Sequence, residues 1–431
     1  MSTVKKATNL LQEFSLPLIG GVIIAMIAAN VAPEWYAHTL HWQPFGDAVI
    51  FGHKVTLHFL VNDIFMVFFF GIAAKEITEA CLPGGDLNPP TKALNPLMGT
   101  LGGVIGPVGV FFGGLALLYA TGIYGAEESA AGVSRGWGIP TATDIALAWL
   151  VARTVFGPGH PAIKYLLLLA VADDAIGLVI IAVFYGDPAH PAQPVFLLLV
   201  VLGMAVAFGM RRFGVKSWPA YVGIAGPIAW SGLVLAHLHP ALALVFIVPF
   251  LPGDDHDHGL FSDDEANEEE DHPGADDHGH HASHSPLHEF EHQLKLFVDL
   301  GLFFYAFANA GVAMSGMGAM TWLILASLVV GKTIGIPLFS LLGVALGFPL
   351  PNGMDRRDLV MAALVAALGL TVALFVAGAA FTSGPLQGEA KMGALFSGLV
   401  GFVAIALARA LGMGKPKNKT DTPDSSVDEA A

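Results

Sequence analysis

Residues 161–184 read PAIKYLLLLAVADDAIGLVIIAVF. The run is long enough to cross a bilayer, which takes roughly 20 apolar residues, and it sets two adjacent carboxylates, Asp173 and Asp174, at its centre. On insertion scales an ionised Asp at mid-membrane costs about 2.5–3.5 kcal/mol. Two side by side are tolerable where protons, a basic partner or a bound cation neutralise them, so the pair reads as functional.

Composition places the whole chain in a membrane. Hydrophobic residues make up 54% and charged residues only 13%, about half the share of a soluble globular domain, and the mean hydropathy is +0.65. The formal charge of −15 belongs to one segment: residues 253–292 hold 14 of the 35 acids and no Lys or Arg, which leaves 21 acids against 20 bases elsewhere. Acidity therefore says nothing about partners of the whole chain, and nothing basic enough for nucleic acid is present. Cys81 is the single cysteine, so no disulfide or Cys-based metal finger forms within the chain. The first apolar run, preceded by Lys5 and Lys6, is long for a signal peptide and lacks a clean cleavage site, and it reads as an uncleaved first span.

Apolar runs separated by Pro, Gly and charge predict about twelve transmembrane helices, near 15–32, 57–80, 94–120, 134–153, 161–184, 194–210, 219–236, 240–251, 293–313, 321–346, 358–381 and 392–413. An even number puts both termini on one side. With the termini in the cytoplasm, fifteen Lys and Arg fall inside and only Lys54, Arg135 and Lys391 outside, as the positive-inside rule requires. The reading is an all-α polytopic membrane protein. Residues 1–252 form spans 1–8, 253–292 a disordered acidic loop, 293–413 spans 9–12 and 414–431 a cytoplasmic tail.

Lys332 stands alone near the middle of the tenth span, too deep to reach either surface comfortably. Its natural partner is an intramembrane carboxylate. Adjacent helical residues point about 100° apart, so Asp173 and Asp174 cannot both face one partner equally. One can pair with Lys332 while the other takes a proton or a cation; the competing reading is a purely structural polar knot. In the fourth span Ile139-Pro140-Thr141-Ala142-Thr143-Asp144 predicts a broken helix, because Pro removes a backbone donor and the threonines can serve freed backbone groups. Leu368-Gly369-Leu370-Thr371 in the eleventh span is a weaker signal of the same kind. Two interrupted helices in opposite orientation suggest inverted repeats crossing at a substrate site, where Asp144 would offset the positive end of one half-helix and Lys332 the negative end of another. A simple proline kink is the alternative for Pro140.

The motifs Val61-Asn62-Asp63 with Lys75-Glu76, Gly136–Ala146, Val171-Ala172-Asp173-Asp174, Phe307–Val312, Gly331-Lys332 and Gly369-Leu370-Thr371 occur in an order that resembles the NhaA-type sodium/proton antiporters. Inverted-topology repeats are a documented property of that family, so the family and the broken helices count as one observation. The resemblance implies an electrogenic exchanger that moves cytoplasmic sodium or lithium out against protons and so controls internal pH and sodium. It implies no cofactor, a homodimer, and a bacterial inner membrane location with both termini cytoplasmic. Asp174 would be the principal sodium-binding carboxylate, Asp173 its neighbour paired with Lys332, and Thr143 and Asp144 would lie at the helix crossing. Glu76, Glu291, His292 and His239 would map to pH sensing, with His239 toward the outer side. Asn62 and Asp63 would be structural polar residues. The pattern departs at Ala73, Lys295 and Pro240-Ala241, so pH regulation transfers less securely than transport. Hard alkali cations prefer oxygen ligands, which Asp174, Asp173, Thr143 and freed carbonyls can supply, and the Asp pair should titrate as a coupled unit.

The 253–292 segment carries nine of the 17 histidines and suits either a solvated insert or transition-metal binding. Two rival functions follow from the same residues. A transition-metal/proton exchanger would use the His-rich segment but should pair His with Asp within spans, where His58 near Asp63 is the only loose candidate. An intramembrane aspartyl protease needs its two Asp on separate helices, whereas Asp173 and Asp174 are contiguous.

Overall fold

A computed structural model describes residues 16–83, 85–88, 90–125, 129–186, 190–253, 285–381 and 384–413. Besides a short helix at Pro33–Leu40, twelve longer helical elements run through them. α1 is Leu16–Val31, α2 Leu57–Cys81, α3 Pro90–Ala120, α5 Pro161–Phe184, α6 Pro194–Arg212, α7 Trp218–Leu235, α8 Pro240–Phe250, α9 Pro286–Asn309, α10 Ala319–Ala345 and α12 Pro385–Ala410. The other two are bent pairs: α4a (Ala130–Thr141) with α4b (Ile145–Phe156) at 47°, and α11a (Arg356–Ala366) with α11b (Leu370–Ala380) at 46°. Among the described residues, seven helices are long and apolar enough to cross a membrane singly, and the number is nine if each bent pair counts as one broken span. α1 and α8 are apolar but shorter. α9 has the length and carries Glu289, Glu291, Lys295 and Asp299 within its first 14 residues.

α9 begins earlier than the sequence reading placed it. Ser285 caps it by accepting from His288 N at 3.3 Å, and Pro286 occupies the first turn, where its missing N–H costs nothing. Leu287 and Phe290 are fully buried, so residues 286–292 are helix rather than part of the acidic loop. The density of His and Glu hid those two apolar anchors. The rest of that segment, residues 254–284, and the tail from 414 lie outside the described residues. Lys391, read as external, is buried within α12 at 9% exposure.

The α3–α10 crossing brings backbones together. A Cβ on Gly106 would collide with Gly331 O, one on Gly335 with Gly102 O, and one on Gly331 with Pro107 Cα. Small residues permit such close approach, which supplies van der Waals packing where lipid gives no hydrophobic drive. The contact fixes the position of Lys332, which directly follows a π-helical turn at Ser327–Gly331. Outside the spans, a two-stranded antiparallel ribbon pairs Val49 with Lys54 and Ile50 with His53.

Candidate functional site

The break in α4 has a local cause, and it falls within the predicted segment Ile139–Asp144. Residues Arg135–Thr141, with two glycines and Pro140, wind as a 3₁₀ helix, and the chain then runs extended through Ala142 to Asp144. Freed backbone groups find partners: Thr141 Oγ1 donates to Gly138 O (2.8 Å), Gly138 N to Tyr185 Oη (2.8 Å), and Tyr185 Oη to Arg135 O (2.7 Å). An apolar interior tolerates irregular backbone only when it is satisfied in this way.

The broken chains of α4 and α11 cross each other. Asp144 N donates to Leu368 O at 2.6 Å. In return Asp144 Oδ2 accepts from Thr371 N (3.1 Å) and Thr371 Oγ1 (2.9 Å), while Oδ1 accepts from Leu147 N (3.1 Å). One carboxylate thus serves the N-terminal ends of both α4b and α11b, where unpaired N–H groups and the helix dipole favour negative charge. Tyr305 of α9 braces the same point by donating to Thr371 O at 3.0 Å. Gly369 permits the crossing, since a Cβ there would meet Ala142 O at 3.1 Å and Leu328 Cδ2 at 3.0 Å. Gly369→Ala is therefore expected to destabilise by about 1–3 kcal/mol through overpacking, read as a lower melting temperature in detergent; an unchanged melting temperature would show that the crossing has slack.

The opposite, C-terminal ends of α4a and α11a lie beside Thr143 and Lys332. Lys332 Nζ, fully buried, donates to Asp173 Oδ2 (2.9 Å) and to Thr143 Oγ1 (2.7 Å). The single hydroxyl proton of Thr143 can go to Asp173 Oδ2 (2.7 Å) or to Ala366 O, the last carbonyl of α11a (3.1 Å). Lys332 thus reaches the negative end of α11a through Thr143 rather than directly.

Asp174 points elsewhere. It is half-buried, and its Oδ1 has no hydrogen-bond partner among the described residues. It lies at the inner end of a cavity of about 660 Å³ whose lining also includes Thr143, Asp144, Glu76 and Lys295. The cavity starts around His160 and Pro161 at the N-terminus of α5. A second cavity of about 220 Å³ lies at the other end of α5, lined by Asp63, His53, Tyr185, His237 and His239. Asp174 lines only the first of these two cavities.

The four residues assigned to pH sensing separate into three places. Glu76 and Glu291 come together around Lys75: its Nζ, fully buried, pairs with Glu291, with Glu76 Oε1 (3.2 Å) and with Glu79 Oε2 (2.6 Å). The i, i+4 spacing of Lys75 and Glu79 could have signalled this. His292, one residue from Glu291 and so turned about 100° away, is exposed beside His288. His239 lies in the second cavity against Phe375, with ring centroids 4.4 Å apart. Asn62 links α2 to α9, since Asn309 Nδ2 donates to its Oδ1 at 2.8 Å. Asp63 is different, because its side chain lines the second cavity while only its backbone carbonyl bonds Trp230 Nε1 (2.8 Å).

Among the described residues, the one group of His, Cys, Asp and Glu close enough to share a metal ion is Glu76, Glu79 and Glu291, and Lys75 already occupies its centre. No histidine belongs to it, so these residues do not favour the transition-metal exchanger. Asp173, bound to Lys332 and Thr143, does not form a shared-proton dyad with Asp174, which removes the geometric basis for a protease.

A family model described as Na+/H+ antiporter 1 matches residues 8–408. The Na(+)/H(+) antiporter NhaA of Desulfitobacterium hafniense is 54% identical over 419 residues, covering 97% of this chain and 99% of the relative. That of Geobacter sulfurreducens is 55% identical over 409 residues, covering 95% and 98%, and that of Jannaschia sp. 43% identical over 421, covering 90% and 94%. The chain belongs to the Na+/H+ antiporter 1 family.

Proposed function

We propose that this protein is a secondary transporter, not an enzyme, that exchanges cytoplasmic sodium or lithium for external protons, and that Asp174 is the group that trades one for the other. The observation that carries this reading is the asymmetry of the Asp pair. Each carboxylate keeps a buried Oδ1 without a partner, but Asp173 is neutralised by Lys332 through its Oδ2, whereas Asp174 faces the cavity with no basic partner among the described residues. An unpaired carboxylate at mid-membrane needs a proton or a hard cation, and it cannot hold both at full strength. Binding of sodium expels a proton, and protonation expels sodium. The Thr143 hydroxyl and the carbonyls at the helix crossing are the nearest further oxygens for an ion at Asp174 and Asp173. Asp144 and Lys332 hold the broken ends in place without joining the exchange.

Alternating exposure of Asp174 to the two cavities completes the cycle. Exchange is electrogenic when more protons than cations move, and the membrane potential then drives it. The transported ions suffice, and no cofactor is required. By the positive-inside rule, the basic residues on the side into which the larger cavity opens support a cytoplasmic location for that side and for both termini in a bacterial inner membrane. The homodimer implied by the resemblance remains part of this proposal.

The test is proton movement in inverted vesicles followed by acridine-orange dequenching. Sodium or lithium is expected to release protons, and zinc to be silent. Zinc-driven proton release with sodium and lithium both silent would overturn the reading in favour of metal export.

A further inference from the structure

The larger cavity contains an acid that the exchange at Asp174 does not use. Lys295, Val298, Asp299 and Leu302 of α9 line it, and their i, i+3, i+4, i+7 spacing is one face of a helix. Two fixed points bracket Asp299 on α9. Outward lies Glu291, held by Lys75, and inward lies Tyr305, bonded to Thr371 beside Asp144. At 1.5 Å per residue, Asp299 lies about 12 Å inward of Glu291 and about 9 Å short of Tyr305.

The other acids lining the cavity stand at its two ends. Glu76 and Asp86 are at the rim, Asp86 bonded to Lys164 at 2.6 Å, and Asp144 and Asp174 are at the floor. Asp174 is 13 residues along α5 from Pro161, about 20 Å of helix. The intermediate wall is largely apolar, with Phe69, Ile72, Val171, Val298 and Leu302. A cation on this stretch gives up part of its bulk hydration beside low-dielectric walls. An acid on this wall offsets part of that lost hydration through its charge.

We propose that Asp299 is an intermediate cation station on the route to Asp174, raising the local cation concentration and setting the affinity for cation from the cavity side. It acts through its charge over several ångströms and does not coordinate the ion at the exchange site. Lys295, one turn outward on the same face, opposes it. The proposal rests on Asp174 being the exchange site and on the larger cavity being its entrance.

The test measures sodium dependence of exchange in inverted vesicles at low ionic strength. Asp299→Asn is expected to raise KM for sodium roughly two- to fivefold, the effect of one charge on the order of 10 Å from the passing cation at an intermediate dielectric, with the maximal rate within about a factor of two. Asp299→Glu should retain the parental KM, and Lys295→Gln should lower KM. Choline chloride at about 0.5 M should shrink both shifts by screening. An unchanged KM in Asp299→Asn, shifts insensitive to salt, or a rise of KM in Lys295→Gln as well, the mark of a merely structural ion pair, would each overturn the proposal. Should Asp299→Asn fail to accumulate, the direction of the Lys295→Gln shift decides alone. Loss of exchange in the parent protein would instead reject the transport reading.

Discussion

Asp174→Asn is expected to abolish sodium- and lithium-driven proton release while the protein still inserts and folds. Asn preserves the volume and one carbonyl oxygen of Asp but carries no charge and no exchangeable proton in the physiological range. A cation bound there would then lack its counter-charge at mid-membrane, a penalty of about 2.5–3.5 kcal/mol, or a loss of roughly a hundredfold or more in binding. The proton half of the exchange disappears as well, so residual activity should be below detection. Folding should survive because the Asp174 carboxylate holds no structural bond: its Oδ1 is unpartnered, and the bonds that fasten α5 to its surroundings belong to Asp173. Antiport at the parental rate in Asp174→Asn would sink the site assignment.

Lys332→Met should produce the opposite phenotype, a loss of stability first. Asp173 would retain only the Thr143 hydroxyl and become a buried charge without its cation. Removing one partner of a buried pair costs about 3–5 kcal/mol, whereas replacing both with groups of similar volume is close to neutral. Melting in detergent should therefore drop sharply in Lys332→Met and recover most of the way in Asp173→Asn/Lys332→Met. A double variant no more stable than the single one would mean that Lys332 is held chiefly by something other than Asp173. The two predictions are independent readouts, because the first removes a charge that faces the cavity and the second a charge that faces protein.

The residues that were legible without coordinates share one property: each breaks a rule at its own position. Asp173, Asp174, Lys332 and Asp144 are ionisable groups inside apolar runs, and Pro140 interrupts a helical one. Their cost is local, so the sequence exposes it. What stayed hidden depends on neighbours distant along the chain. Lys75 looked like an ordinary helix-end lysine until α9 brought Glu291 against it. His292 carries a chemistry that suits pH sensing, but helix geometry turns it to the exterior, while His239 lines the cavity at the far end of α5, the side expected for it. Asp299 drew no notice because an acid one turn from Lys295 reads as an ordinary surface pair.

By itself the sequence determined the helix count, the two interruptions, the family, and the fact that a carboxylate pair and a lysine must be reconciled within the bilayer. These follow from transfer costs and helix periodicity, which act residue by residue. Transfer costs and periodicity leave open which Asp meets Lys332; the resemblance implies Asp173, and the tertiary structure supplies the physical reason. Two residues 100° apart on a helix are equivalent until the helices around them are placed, and the backbone contact of Gly102 and Gly106 with Gly331 and Gly335 helps place α10. Once Lys332 is set, it takes Asp173 and leaves Asp174 to the cavity.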